Sequence, residues 1–264
     1  MVKTQKELAF LRDLYVQGEW TQRFTDLVDK HMDLNDSENM LYINAGTGGH
    51  ALAISERFGE KTDIFAICEN EDILAIARDK AVAVGTDVDF SMIQFEDDAF
   101  DAVLADATFV RPADLESFVE NTVRVASTGG DITIFLPSAG SFGEVFSLMW
   151  EALFNEDLTE YGAAAEKLIA EIPTVSRIEE LATQSGLINI NTQTTVEIFE
   201  FENGEEFITS PLVADFLMPI WLDPLDENEK ERVIKQLAQL IDADEAPLTF
   251  RFCVKATLLT GEKS

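Results

Sequence analysis

Positive charge is scarce in this chain. Nineteen lysines and arginines stand against 50 aspartates and glutamates in 264 residues, a formal charge of −31. A chain of that charge repels phosphate backbones and anionic lipid, and its few cations are scattered rather than gathered into a patch. Nucleic acid and membrane are therefore not expected as partners. The charge itself reads as solubility in a salty or crowded medium, or as attraction of a cationic ligand. Cysteine is also rare: Cys68 and Cys253 lie far apart in apolar surroundings, too few for a disulfide framework or a zinc site. No metal is expected. Histidine is limited to His31 and His50. No run of about 18 apolar residues is present, so no membrane-spanning helix is expected. Residues Met1–Phe10 lack the apolar stretch and cleavage site of a secretory signal, and a reducing cytoplasm is the expected compartment. Internal repeats, low-complexity tracts and Pro/Gly/Ser-rich linkers are absent as well.

What the chain does have is apolar residues, 46% of the total, arranged in two periods. Leu8, Leu11, Leu14, Tyr15, Trp20, Phe24, Leu27 and Val28 recur at helical spacing, which predicts two helices separated at Gly18. A loop follows at Asn35, Asp36 and Ser37. Short apolar runs then predict strands over Met40–Asn44, Asp63–Cys68, Val88–Met92, Phe100–Ala105 and Asp131–Leu136. Helices are predicted between them over His50–Phe58, Glu71–Val84 and from Pro112 to Val125. Strands alternating with helices at this spacing specify a parallel sheet covered on both faces.

Past Pro137 helices are predicted at Phe142–Phe154, Leu158–Ile172 and Ser176–Ser185, then a strand or bent pair over Leu187–Phe201. Further helices fill Glu205–Leu217 and Glu227–Asp242, and Leu248–Leu259 is the last strand. The expected fold is α/β: a doubly wound, mostly parallel seven-stranded sheet with an antiparallel C-terminal edge. Its expected divisions are an N-terminal helical cap (1–37), a Rossmann-type core (38–202), a helical insert (203–246) and a last core strand with its tail (247–264).

The sharpest local signal is Leu41–His50, where Gly46, Gly48 and Gly49 stand between a strand and a helix. Glycines there let the backbone turn tightly and let a ligand approach it, and the following helix offers free N–H groups. A bare strand–helix turn is the competing explanation. Glu69 ends the second strand, where a carboxylate accepts two hydrogen bonds from the adjacent hydroxyls of a ribose. Its competing role is to meet the dipole of the next helix.

Four segments in order, Tyr42–Gly48, Ala66–Ala81, Phe95–Val103 and Val125–Ile134, resemble the class I S-adenosylmethionine-dependent methyltransferases. The resemblance covers about residues 38–138 and extends weakly to Ser185. It implies S-adenosylmethionine as cofactor, with Gly46 and Gly48 facing its methionine part and Glu69 on its ribose. It places Asp106, just past the fourth strand, near the methionine part or the substrate. Asn44, Ala45, Thr47, Asn70 and Met92 complete the implied cofactor set. The chain departs from the usual pattern at Asn44, where the family usually has an acidic residue, and at His50, where it usually has a third glycine. The third strand is curtailed and ends without a carboxylate.

Methyl transfer asks mainly for alignment of acceptor and methyl, so no catalytic residue is singled out. His50 reads as a helix-start residue or a base, and His31 as a helix end or a group at the pocket entrance. Trp20 and Phe24, with Phe207, Phe216, Met218 and Trp221, are candidates to line a site for a small acceptor, apolar or cationic, unless they simply pack the core. Two other readings stay open. The departures favour a non-catalytic relative that kept the fold, and Gly46-Thr47-Gly48-Gly49-His50-Ala51 also satisfies a looser nicotinamide-dinucleotide fingerprint.

Overall fold

The computed structural model describes residues 3–32, 34, 37–59, 61–243 and 249–264. The loop expected at Asn35 and Asp36, the strand start expected at Leu248 and the boundary expected at residues 246 and 247 lie outside them.

The first element is one helical run. Helix α1 (Gln5–Leu11) passes through a π-helical stretch (Arg12–Thr21) into α2 (Gln22–His31). Thr4 starts it with a capping box, its side chain accepting from the Glu7 N–H and Glu7 reaching back to the Thr4 N–H. Gly18 does not separate two helices, as its composition predicted, but sits inside this run. A glycine in a helix costs about 1 kcal/mol relative to alanine. Val16, Trp20, Phe24, Leu27 and Val28 form one fully or nearly fully buried stripe along the run, and their burial outweighs that cost.

Strand β1 (Asn39–Ile43) leads into α3 (Gly49–Phe58), β2 (Asp63–Ile67) into α4 (Glu71–Val84), and β3 (Asp89–Ser91) follows. Strand β4 (Phe100–Asp106), α5 (Leu115–Val125) and β5 (Ala126–Ser138) complete the alternating part. β5 begins at Ala126 rather than Asp131, because Gly129 and Gly130 form a bulge that shifts the register against β4 between Phe100 and Ala102. Helices α6 (Gly143–Asn155), α7 (Gly162–Glu171) and α8 (Val175–Gln184) precede β6 (Leu187–Phe201), a single long strand. Then come α9 (Gly204–Thr209), a π-helical turn (Leu212–Leu217), α10 (Met218–Trp221), α11 (Glu227–Ala243) and β7 (Phe250–Lys263).

The seven strands run in the order β3-β2-β1-β4-β5-β7-β6. The first five are parallel and the β5-β7-β6 edge is antiparallel. Successive strands go outward on one side of β1 as far as β3, and the chain then returns to the other side at β4. This reversal falls at the carboxyl ends of β1 and β4, the place where open α/β sheets hold ligands.

Two compact units divide the chain. The first comprises Met1–Leu136, Thr174–Thr195 and Ala256–Ser264. Its core packs the parallel strands against α5 and α8 through Leu41, Val103, Ile132, Ile134, Val119, Val123, Ile178 and Leu181. The second comprises Pro137–Pro173 and Val196–Lys255, and is centred on Phe142, Phe146, Phe199, Phe201, Phe207, Trp221 and Phe252.

Candidate functional site

The site is built at the carboxyl edge of the parallel strands, within the first unit. β1 stops because three residues after it adopt left-handed backbone: Asn44 at φ 58°, Gly46 at 55° and Gly48 at 81°. Asparagine is among the few non-glycine residues that tolerate this region. The Asn44 side chain also donates from Nδ2 to the Asp106 carbonyl at 3.0 Å, which ties the end of β1 to the end of β4. The turn is closed by Ala45 N–H donating to Ile67 O at 2.9 Å and Gly48 N–H donating to Ala45 O at 3.1 Å. Only glycine fits at residue 48. A Cβ there would sit 2.7 Å from Phe90 Cζ and 3.1 Å from Ala77 Cβ. Helix α3 starts at Gly49, so its first N–H groups face this loop.

Asn70, placed by the resemblance in the cofactor set, is the N-cap of α4 and accepts from Ile73 N–H at 3.0 Å. Glu69 therefore does not cap that helix. Its Oε1 lies 2.5 Å from Nη2 of Arg12, which reaches in from the π-helical stretch. The same guanidinium is 3.4 Å from where a Cβ of Gly46 would be and 5.5 Å from the centroid of the Phe109 ring. Arg12 thus brings Gly46 and Glu69 together through one side chain. Gln17 of the same stretch closes on Gly49, and Asp13 pairs with Lys80 of α4 at 2.7 Å.

Asp106 is 4% exposed, and its Oδ1 accepts from Thr108 N–H at 2.8 Å. Burial pushes its carboxyl up from 3.8 to about 6, against the pull of the Thr108 hydrogen bond and the Arg12 charge. Three buried hydroxyls at the same edge, those of Thr47, Ser91 and Thr108, find no hydrogen-bond partner among the described residues. Met92 follows β3 directly and is 43% exposed.

Beneath the loop, His50 is buried in the first turn of α3. Its Nδ1 is 3.2 Å from the Tyr42 hydroxyl and its Nε2 is 3.5 Å from Asp29 Oδ1, which also pairs with Arg57 at 2.6 Å. The His50 hydrogen bond holds the Asp29 carboxyl below its usual range. Burial, followed by the nearby Asp106 charge, holds the Tyr42 phenol well above its own. His31 lies elsewhere: it lines a cavity of about 230 Å³ with Met40, Asp131, Thr133 and Glu262, to which Gly46, Glu69 and Asp106 do not contribute.

The aromatic candidates fall into two groups. Trp20 and Phe24 are fully buried in the first unit, with Trp20 5.1 Å from Phe24 and 5.6 Å from Phe109, and Phe24 6.1 Å from Phe135. Phe216 and Trp221 belong to the second unit, where Trp221 packs on Phe142 and Phe146 and Phe216 is half-buried. Sequence reasoning passed over Arg12, Gln17, Tyr42, Phe90 and Phe109. Arg12 carried no motif signal, being one charge on an amphipathic helix. Among the described residues no group of three or more His, Cys, Asp or Glu side chains is placed to hold a metal ion. No described helix is long and apolar enough to cross a membrane.

A glycine turn after β1 and an acidic residue after β2, on a sheet of this order, define the class I, S-adenosylmethionine-dependent methyltransferase fold. Residues 41–134 match the family model described as a methyltransferase domain. The chain is similar to the demethylmenaquinone methyltransferase of Shouchella clausii, 23% identical over 178 residues, covering 61% of this chain and 75% of the relative. It is 21% identical over 224 residues to phosphoethanolamine N-methyltransferase 2 of Caenorhabditis elegans; this covers 78% of the chain but only about half, 48%, of the nematode protein. Among solved structures the YcgJ protein of Bacillus subtilis superposes with a TM-score of 0.59 at 16% identity, covering 92% of this chain and 98% of that one.

Proposed function

We propose that this protein is an S-adenosylmethionine-dependent methyltransferase acting on a small-molecule acceptor. The observation that carries the proposal is the convergence of the left-handed Asn44–Gly48 loop and the Glu69 carboxylate on adjacent strand ends. The residues present suit the cofactor. Glycines at 46 and 48 leave backbone open to close approach, Glu69 offers a diol acceptor, and the unpartnered hydroxyls of Thr47, Ser91 and Thr108 supply further polar contacts. Asn44, Ala45, Gly46, Thr47, Gly48, Glu69, Asn70, Met92 and Asp106 are the residues assigned to hold it. The cofactor supplies an electrophilic methyl group, so the chain's own task is to orient the acceptor and exclude water.

A small acceptor suits the charge of −31, which repels polyanions, and suits the small molecules in the names of the two curated relatives. Both cysteines are free, which suits a reducing cytoplasm. Calorimetry with S-adenosylmethionine and S-adenosylhomocysteine tests the proposal, with NAD(H) as the control for the nicotinamide alternative. Binding of neither sulfur ligand near millimolar concentration ends it. The Arg12–Glu69 ion pair favours a second reading, a binding protein that kept the fold without turnover. Transfer of a labelled methyl group to any component of a small-molecule extract rules that second reading out.

A further inference from the structure

His31 is one of two histidines, and the proposed cofactor site leaves it unused. It stands at the end of α2 on a cavity of about 230 Å³, within the first unit and toward the opposite ends of β1 and β4. Strand register decides which side chains reach this cavity. Met40 pairs with Ala102, Ala102 with Asp131 and Leu104 with Thr133, so these side chains share one face of the sheet. Their neighbours Leu41, Val103 and Ile132 take the other face and join the core under α5 and α8.

Two features distinguish the cavity from a packing gap. Thr133 is 6% exposed, and its hydroxyl has no hydrogen-bond partner among the described residues. A buried hydroxyl left over beside a cavity is satisfied by water or by a ligand. The charge of the lining is also one-sided. His31 apart, the ionisable side chains are the carboxylates of Asp131 and Glu262, and no lysine or arginine stands among the described residues that line it. Asn189 donates to Glu262 Oε2 at 3.1 Å, which holds that carboxylate in place.

We propose that this cavity is a second binding site, for a small organic cation that joins an ammonium group to an aliphatic stem. The stem lies on Met40 and Leu104, and the ammonium, with three donors, meets Asp131, Glu262 and the Thr133 hydroxyl. Along β4 the step from Ala102 to Asp106 spans about 13 Å, so the occupant is bound there and not methylated. The site is independent of the methyltransferase reading.

The test is calorimetry of the full chain with n-butylammonium in about 0.15 M salt, where attraction to the diffuse charge of −31 is screened beyond about 8 Å. Ammonium ion has the charge without the stem, and 1-butanol the stem without the charge. n-Butylammonium is expected to bind once per chain with a Kd of about 1 mM, within the range open to so small a ligand. Both controls should bind at least about 10-fold more weakly. Glu262→Gln and Thr133→Val should each weaken n-butylammonium about 10-fold, the scale for losing a hydrogen bond to a charged group. Glu262 is half-buried and valine matches threonine in size, so both variants should fold, which thermal unfolding checks. No binding by about 10 mM, equal binding of ammonium ion, or full affinity in either variant overturns the proposal. Displacement by S-adenosylhomocysteine overturns it too, because it puts the cation in the cofactor's site. Failure of S-adenosylhomocysteine itself to bind strikes only the methyltransferase reading.

Discussion

Replacing Asp106 by asparagine should stabilise the protein at neutral pH and do progressively less as the pH falls. The carboxyl is 4% exposed and burial is the largest influence on it, lifting it from 3.8 to about 6. A factor of ten in proton affinity is worth about 1.4 kcal/mol, so this lift corresponds to about 3 kcal/mol. The sign follows from which state holds the proton. Below pH 3.8 both folded and unfolded chains carry it, and the group costs nothing. As the pH rises from 3.8 toward 6 the unfolded chain ionises first, so folding stability declines. Past about pH 6 the folded chain ionises too, and the whole penalty is present. The substituted amide cannot ionise, keeps an oxygen for the Thr108 N–H and leaves the main-chain carbonyl that Asn44 bonds untouched. Urea unfolding of both proteins from pH 5, above the isoelectric point of 4.1, to pH 8 measures the effect. The advantage of Asp106→Asn should grow from about half of its full value at pH 5 to at most about 3 kcal/mol at pH 8. Other carboxylates titrate alike in both proteins and cancel in the difference. A difference that stays flat with pH, or that turns against the variant at pH 8, refutes the reasoning.

Gly48→Ala forces a side chain onto left-handed backbone and into Phe90, at about 1–2 kcal/mol for the first and 1–3 for the second. Its denaturation midpoint should fall accordingly, and a loss under about 0.5 kcal/mol would show that the loop relaxes freely. Glu69→Ala should weaken S-adenosylhomocysteine by about 1–3 kcal/mol in calorimetry, the cost of unpairing hydrogen bonds to a charged group. Unchanged affinity would remove Glu69 from the ribose role. Cys68 is 2% exposed, and burial followed by the Glu69 charge pushes its thiol up to about 12. Peptide mapping should find it unmodified by iodoacetamide at pH 8 in the native protein and modified in urea; native labelling at the rate of a free thiol contradicts this.

The strand–glycine–helix order around Gly46 and the placement of Glu69 at a strand end were legible because they rest on short-range periodicity and backbone freedom. Gly18 misled for the same reason: propensity argues for a break, and only the partners of Trp20 and Phe24 reveal the burial that overrides it. Asn70 was legible only as a neighbour of Glu69, and its capping bond to Ile73 emerges only from the structure. The fifth strand was expected to start at Asp131 but starts at Ala126, because Gly129 and Gly130 form a bulge and the partner strand, distant in sequence, continues the ladder past it.

By itself the order of residues dictated the alternation of elements, the glycine turn and the excess of negative charge, since each depends on neighbours within a few positions. Tertiary structure alone decided that Arg12 meets Glu69 across 57 positions and that Asp106 is sealed from water. Coulomb energy and desolvation depend on distance in space and on the surrounding medium, and neither is written in any local stretch of chain.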